Sequence, residues 1–126
     1  MNWSRVFAIL AHMLSVMFLF SSVGAADFGR LQTFAGIDPI VLWRSPAALG
    51  DGMTLALGGG SPQSARALAA CTADPGARVL KRAYDTARIT FSKDGTTRTA
   101  SIVEVRIADG KYAGCQGWVL DQQIGP

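Results

Sequence analysis

The chain has 126 residues and a formal net charge of +3, enough for one small domain without a strong electrostatic character. Residues 1–25 hold a single charge, Arg5, so the rest of the chain carries 11 Lys and Arg against 9 Asp and Glu. No basic run is longer than Lys81-Arg82, which is too little for a nucleic-acid partner.

Residues 1–25 have the pattern of a signal peptide for export. Arg5 provides the positive start, an apolar stretch covers 6–20, and small residues follow. Cleavage after Ala25 and cleavage after Ala26 both suit signal peptidase, and the two sites stay open. The apolar stretch of about 15 residues is shorter than the roughly 20 of a spanning helix. We therefore expect a periplasmic or secreted protein without a stable membrane span after cleavage, with a retained anchor as the alternative.

The next residues, 26–36, show no regular period, and we expect a linker or an N-terminal tail there. The domain itself is then expected to span 37–126. Cys71 and Cys115 are the only cysteines of the sequence. Because an exported protein meets an oxidising compartment, we expect them to form a disulfide; two buried free thiols are the alternative.

The first part of the domain predicts two short strands. One begins at Ile40, because Pro39 cannot donate a hydrogen bond to a neighbouring strand. Glycines at 50 and 52 indicate a turn. Apolar and small residues then alternate over 53–57, which is typical of a second short strand.

A single short helix is expected after these strands, near 62–71. Ser61 suits the N-cap and Pro62 suits the first helical turn. An Asp-Pro-Gly sequence at 74–76 ends the pattern. No other helix is predicted after the signal peptide.

From residue 77 onward the pattern changes to strands, at 77–82, 88–92 and 96–107. A three-residue hairpin loop with Gly95 in the left-handed conformation would join the last two. With that loop length, Phe91 is expected on the same face as Thr97. Several short strands in fewer than about 100 residues indicate a mainly β, small α+β domain of barrel or sandwich type.

The strongest strand–turn–strand signal lies at 102–119. A β-branched run leads to an Asp-Gly turn, and a closing strand and one irregular helical turn follow. This stretch resembles the closing strands of bacterial SH3-like domains, which end in a valine-rich strand, a turn and a Gly-x-x-Gly-Trp-Val motif. The matching residues are Val105, Ile107, Asp109, Gly110, Tyr112, Gly114, Gly117, Trp118 and Val119.

The resemblance covers about the last 50 residues, with its specific motif confined to the 102–119 stretch. It implies an SH3-like, partly open β-barrel with one short helix before it. It also implies that the chain is similar to small exported bacterial proteins of uncharacterised type, so that it indicates a fold more than a function.

No catalytic constellation is recognisable in the sequence. After the signal there is no histidine, one glutamate (Glu104) and no Gly-x-Ser-x-Gly motif, whereas a catalytic nucleophile needs a neighbouring base. We therefore expect no enzymatic activity, no catalytic residue, no metal and no cofactor. A carboxylate-dependent hydrolase is the weakest alternative, because most of the aspartates fall in turns, where Asp is favoured for backbone reasons.

Aromatic and basic side chains provide a candidate binding surface. Tyr112 and Trp118 lie beside turns and carry a polar atom, and Arg88, Arg98 and Arg106 are expected on one outer sheet face. Core packing of the aromatics and an ordinary solvated face are the competing interpretations. We expect a non-enzymatic binding module of the cell envelope whose ligand is an envelope protein segment or a cell-wall component. The alternative is a periplasmic inhibitor of a secreted or lytic enzyme.

Overall fold

The computed structural model describes residues 27–58, 60–91 and 94–126, so the predicted signal peptide lies outside the described residues. These residues form a mainly β fold in which one sheet curls into a half-barrel. In the described ranges, two helices and a 3₁₀ turn before the last strand accompany the sheet. The elements are β1 (Phe28–Leu31), β2 (Ile40–Trp43), α1 (Pro46–Gly58), α2 (Pro62–Leu68), β3 (Ala69–Ala73), β4 (Arg78–Phe91), β5 (Thr96–Ile107), β6 (Gln116–Leu120), the 3₁₀ turn (Asp121–Gln123) and β7 (Ile124–Gly125).

The sheet has the strand order β3-β2-β6-β5-β4-β1-β7, and neighbouring strands are antiparallel. Its centre is the meander β4-β5-β6, in which each strand returns beside the one before. Gly95 and Gly110 have φ angles of 67° and 78°, where glycine meets no steric penalty. The expected turns at these two glycines are therefore confirmed, as is the closing strand β6.

Both faces of the sheet bury apolar side chains. One face, the helix face, packs against α1, and the core between them includes Trp43 and Ile102 of the sheet and Leu49 of the helix. The other, the far face, has a core whose buried members all come from strands. Successive strand residues point to opposite faces, and strands β2, β4, β5 and β6 supply side chains to both cores. The buried members of the far-face core are Leu31, Ile40, Leu42, Ala73, Val79, Val103, Val105, Ile107 and Val119.

Helix α1 corrects the expectation of a strand at 53–57 and of a single helix. Leu49 and Met53, one helical turn apart, are both buried against the sheet. Gly50 and Gly52 are buried inside this helix rather than in a turn. Glycine is needed there because a Cβ on Gly50 would come within 2.6 Å of the Arg88 carbonyl oxygen, and one on Gly52 would overlap Trp43.

The expected helix at 62–71 is shorter than predicted. It ends at Leu68, and Ala69 has an extended backbone with φ −81° and ψ 136°. Residues from Ala69 onward pair with β2, which places Cys71 opposite Leu42 in strand β3. Strand pairing with a distant segment therefore overrides the local helical pattern.

The segment expected to be a linker or tail contains strand β1, which corrects that expectation for Phe28–Leu31. Leu31 is only 1% exposed and belongs to the far-face core. Phe28 pairs with Leu80 of β4, and Leu31 pairs with Ile124 of β7. This part of the segment is thus a docked strand of the sheet.

The two strands expected at 77–82 and 88–92 are one continuous strand of 14 residues, β4. Its pairing with β5 shifts by one residue between Lys81 and Ala83. A bulge of this kind exchanges the faces to which the following side chains point. Val79 before the bulge therefore faces the far-face core, whereas Ile89 after it faces helix α1.

The hairpin between β4 and β5 has a register that differs from the expected one. Phe91 pairs with Thr96, so the loop holds four residues rather than three. One extra loop residue reverses the face of every side chain that follows. Phe91 consequently shares a face with Thr96 and Arg98, and the expectation that it shares one with Thr97 is wrong.

Candidate binding cleft

The two aromatic residues of the predicted surface lie on opposite faces of the sheet. Tyr112 is half-buried against the far-face core, with the Lys111 ammonium 5.4 Å from its ring centre. Trp118 is half-buried against the helix-face core and pairs with Trp43 of β2. Both rings therefore act in packing, and the structure does not bring them together.

The three arginines of the predicted surface are also separated. Arg88 pairs with Thr99 and points to the far face, whereas Arg98 pairs with Ile89 and points to the helix face. Arg106 shares the helix-face side with Arg98 but lies eight residues along the strand, about 27 Å away at 3.4 Å per residue. No common arginine patch results.

The predicted disulfide between Cys71 and Cys115 is confirmed. It joins strand β3 to the residue before β6, with 6.5 Å between the Cα atoms and 44 residues of sequence separation. Both cysteines are partly buried against the far-face core. The bond therefore holds an edge of the sheet to its centre.

The helix face carries a cleft that sequence reasoning missed. Its volume is about 410 Å³, within the range of small-ligand pockets. The segment 34–41 forms one wall, helices α1 and α2 form the other, and strand β3 contributes Ala69 and Thr72. Because these segments are distant in sequence, no local pattern could have predicted the cleft.

Buried side chains give the cleft a fixed floor. Trp43 is 3% exposed and Met53 is 4% exposed, and both belong to the helix-face core. Gln123, which is 6% exposed, is held in place because its Oε1 accepts the Leu120 N–H at 3.0 Å. The floor is therefore preformed and requires little ordering when a ligand enters.

The walls of the cleft are mainly apolar, with Phe34, Leu55 and Ala65 among them. Arg66 and Asp38 are the charged residues among the described lining, and both are exposed. Asp38 supplies one carboxylate, whereas acid–base glycoside cleavage needs two. The arrangement suits an apolar group bordered by charges of both signs.

Metal-ligating side chains do not cluster in the described ranges, where no group of three His, Cys, Asp or Glu could hold an ion. Nor does any helix within those ranges have the length and apolar character to cross a membrane. Comparison of the chain with protein-family models, curated proteins and solved structures finds no match.

Proposed function

We propose that the protein is a non-enzymatic binding module, exported to the cell envelope, that receives an apolar side chain of a partner protein in the cleft. The observation that carries this proposal is the apolar cleft with its buried floor of Trp43 and Met53. Apolar walls with a few polar groups are the usual composition of a ligand site. The charges at the rim, Arg66 and Asp38, are suited to orient a peptide rather than to react with it.

The position of the cleft favours an extended peptide as the ligand. Strand β3 is the last strand at one side of the sheet, so one edge of its backbone has no strand partner within the described fold. Ala69 and Thr72 of this strand also line the cleft. A peptide that adds to a free sheet edge gains backbone hydrogen bonds and places alternate side chains in neighbouring pockets.

An SH3-like architecture is part of the proposal. It is supported by the curled sheet, by the meander β4-β5-β6 and by Gly117-Trp118-Val119 in the last strand of that meander. Gly117 packs closely there, since a Cβ would come within 2.8 Å of Leu42 Cβ. The glycine of the motif thus has a packing reason in this fold.

Blocking the cleft tests the proposed function. Ala65 of α2 lines the cleft, whereas Ala67 of the same helix is exposed and lies outside it. Fluorescence polarisation with labelled hexapeptides that alternate Leu or Phe with Thr should show binding to the wild type. We expect Ala65→Trp to weaken it at least tenfold and Ala67→Trp to change it less than twofold. Absence of peptide binding, or equal effects of both variants, would contradict the proposal.

Export is tested separately by fractionation and mass spectrometry of the protein from its own cell. The mature protein is expected outside the cytoplasm and beginning at Ala26 or Asp27, as the small residues before them indicate. A cytoplasmic protein that retains residues 1–25 would contradict this part of the proposal. The cleft could still bind peptides in that case, so the two parts fail independently.

A further inference from the structure

Strands β4 and β5 extend well beyond their neighbours in the sheet. They have 14 and 12 residues, whereas β1 and β6 have four and five. Residues 84–91 of β4 and 96–103 of β5 therefore form a two-stranded arm. Among the described strands, β6 alone pairs with this arm, at its base. Helix α1 covers one face of the arm, where Ala87 and Ile89 are buried.

The opposite face of the arm is exposed and polar. The pairing of the two strands places the side chains of this face in cross-strand pairs: Thr86 lies opposite Ser101, Arg88 opposite Thr99, and Thr90 opposite Thr97. Tyr84 stands at the base of the arm with 64% of its surface exposed. We call this surface the arm face; it consists of Tyr84, Thr86, Arg88, Thr90, Thr97, Thr99 and Ser101.

The charge of the arm face is entirely positive within the described chain. Arg88 points to it, and Lys81 lies on the same side just before the bulge, opposite Val105. The nearby acids point to the helix-face side, because Asp85 pairs with Ile102 and Glu104 pairs with Trp118. Neither cation has an ion pair among the described residues.

Hydroxyl groups on the arm face are free to bind a ligand. Thr90 and Thr97 share a hydrogen bond of 3.0 Å between their hydroxyl oxygens. The hydroxyls of Thr86, Thr99 and Ser101 have no hydrogen bond to the part of the protein that the structure describes. Each of these can both donate and accept.

We propose that the arm face binds a carboxylate-bearing polysaccharide chain. The exposed ring of Tyr84 offers a flat apolar surface to a sugar ring, and its hydroxyl remains available for hydrogen bonding. The free hydroxyls of Thr86, Thr99 and Ser101 match sugar hydroxyls. Arg88 provides a planar, bidentate donor for a carboxylate.

The size and charge of the arm face make a globular protein, a second copy of the chain and a nucleic acid less suitable partners. It measures about 20 Å by 10 Å from strand geometry, or about 200 Å², whereas a stable protein interface covers roughly 800 Å² on each partner. A second copy would bring Arg88 and Lys81 of two chains together, which repel. Two cations are few for a nucleic acid, whose affinity depends on many phosphate contacts. A thin, acidic sugar polymer fits the dimensions and the charge.

The proposal is tested by measuring the affinity of the purified protein for three ligands at low salt. These are alginate oligosaccharides, neutral dextran oligosaccharides of equal length and single-stranded oligo-dT. We expect alginate to bind more tightly than the other two. Tyr84→Ala and Arg88→Glu should each weaken alginate binding at least tenfold. Arg106→Glu makes the same charge change on the opposite side of the sheet and should change it less than twofold. Circular dichroism of each variant confirms an unchanged fold.

Several results would overturn the arm-face proposal. These are no binding of alginate, binding of dextran or oligo-dT at least as tight, wild-type binding by either arm variant, or an equal loss in Arg106→Glu. The cleft variant Ala65→Trp should retain alginate binding. The arm face and the peptide cleft lie on opposite faces of the sheet, so either proposal can fail without the other.

Discussion

Gly52 of helix α1 lies directly against the indole ring of Trp43, and no side-chain carbon fits between them. Gly50, two residues earlier, lies close to the backbone of Arg88, where an added Cβ would stand 2.6 Å from the carbonyl oxygen. These two contacts set how closely α1 approaches the sheet. Because Trp43 also forms the floor of the cleft, the same contact fixes the shape of the proposed binding site.

Replacing Gly52 by Ala is expected to destabilise the protein. In an unhindered helix this change would stabilise by about 0.5–1 kcal/mol, because glycine has more backbone freedom to lose. Here the new methyl group would overlap the buried Trp43 ring, and overpacking of this kind costs about 1–3 kcal/mol. Urea denaturation should show a lower free energy of unfolding. Asp51→Ala, exposed on the same helix, is the control and should not lower it.

A hydroxyl of helix α1 is expected to anchor the arm. Thr54 Oγ1 donates to the Gly50 carbonyl at 2.8 Å and accepts the Thr90 N–H at 3.1 Å. Thr54→Val would leave the partly buried Thr90 N–H without this acceptor, at a cost of about 1–3 kcal/mol in unfolding free energy. Thr54→Ser keeps the hydroxyl and should lose less. Faster amide hydrogen exchange at Thr90 in the Val variant alone would support this assignment, and equal exchange in both would contradict it.

Removing the disulfide is expected to lower stability strongly. In the chain-entropy model, a bridge that closes a loop of this length contributes about 4 kcal/mol, because it restricts the unfolded chain. The double variant Cys71→Ala, Cys115→Ala should therefore unfold at a much lower urea concentration. Reduced wild-type protein is expected to behave like the double variant. Coincident transitions of oxidised and reduced protein would contradict the prediction.

The carboxyl group of Asp94 is expected to titrate below the usual range for aspartate. The Thr96 N–H donates to Asp94 Oδ1 at 2.9 Å and is the main cause of the lowered pKa; the Thr96 side chain and the positive charge of Arg98 lower it further. The folded state thus favours the carboxylate. The resulting stabilisation is present above the ordinary Asp pKa and is lost as the pH falls through the lowered value.

An NMR pH titration of the Asp94 side chain measures this pKa directly. A midpoint at or above the ordinary Asp value would contradict the prediction. Asp94→Asn serves as the control, because it cannot ionise. Its stability should lack the part of the acid dependence that Asp94 contributes to the wild type.

Short-range signals in the sequence determined the turns and the closing strands. Gly95 and Gly110 adopt positive φ as their turn positions required, and β6 follows the β-branched run. The pairing of Cys71 with Cys115 was also predictable, since the chain offers only two cysteines. The turns and the closing strand depend on residues near in sequence, and the disulfide has only one possible pairing of the two cysteines.

Long-range packing decided the rest. Alternation over 53–57 suits a strand, but burial of Leu49 and Met53 against the sheet selects a helix. Strand β1 exists because Phe28–Leu31 finds partners in β4 and β7, about 50 and 95 residues away in sequence. The four-residue loop places Arg88 and Arg98 on opposite faces, and the bulge after Lys81 places Val79 and Ile89 on opposite faces. The cleft arises only where distant segments meet, and a local pattern of residues does not determine the energy of such contacts.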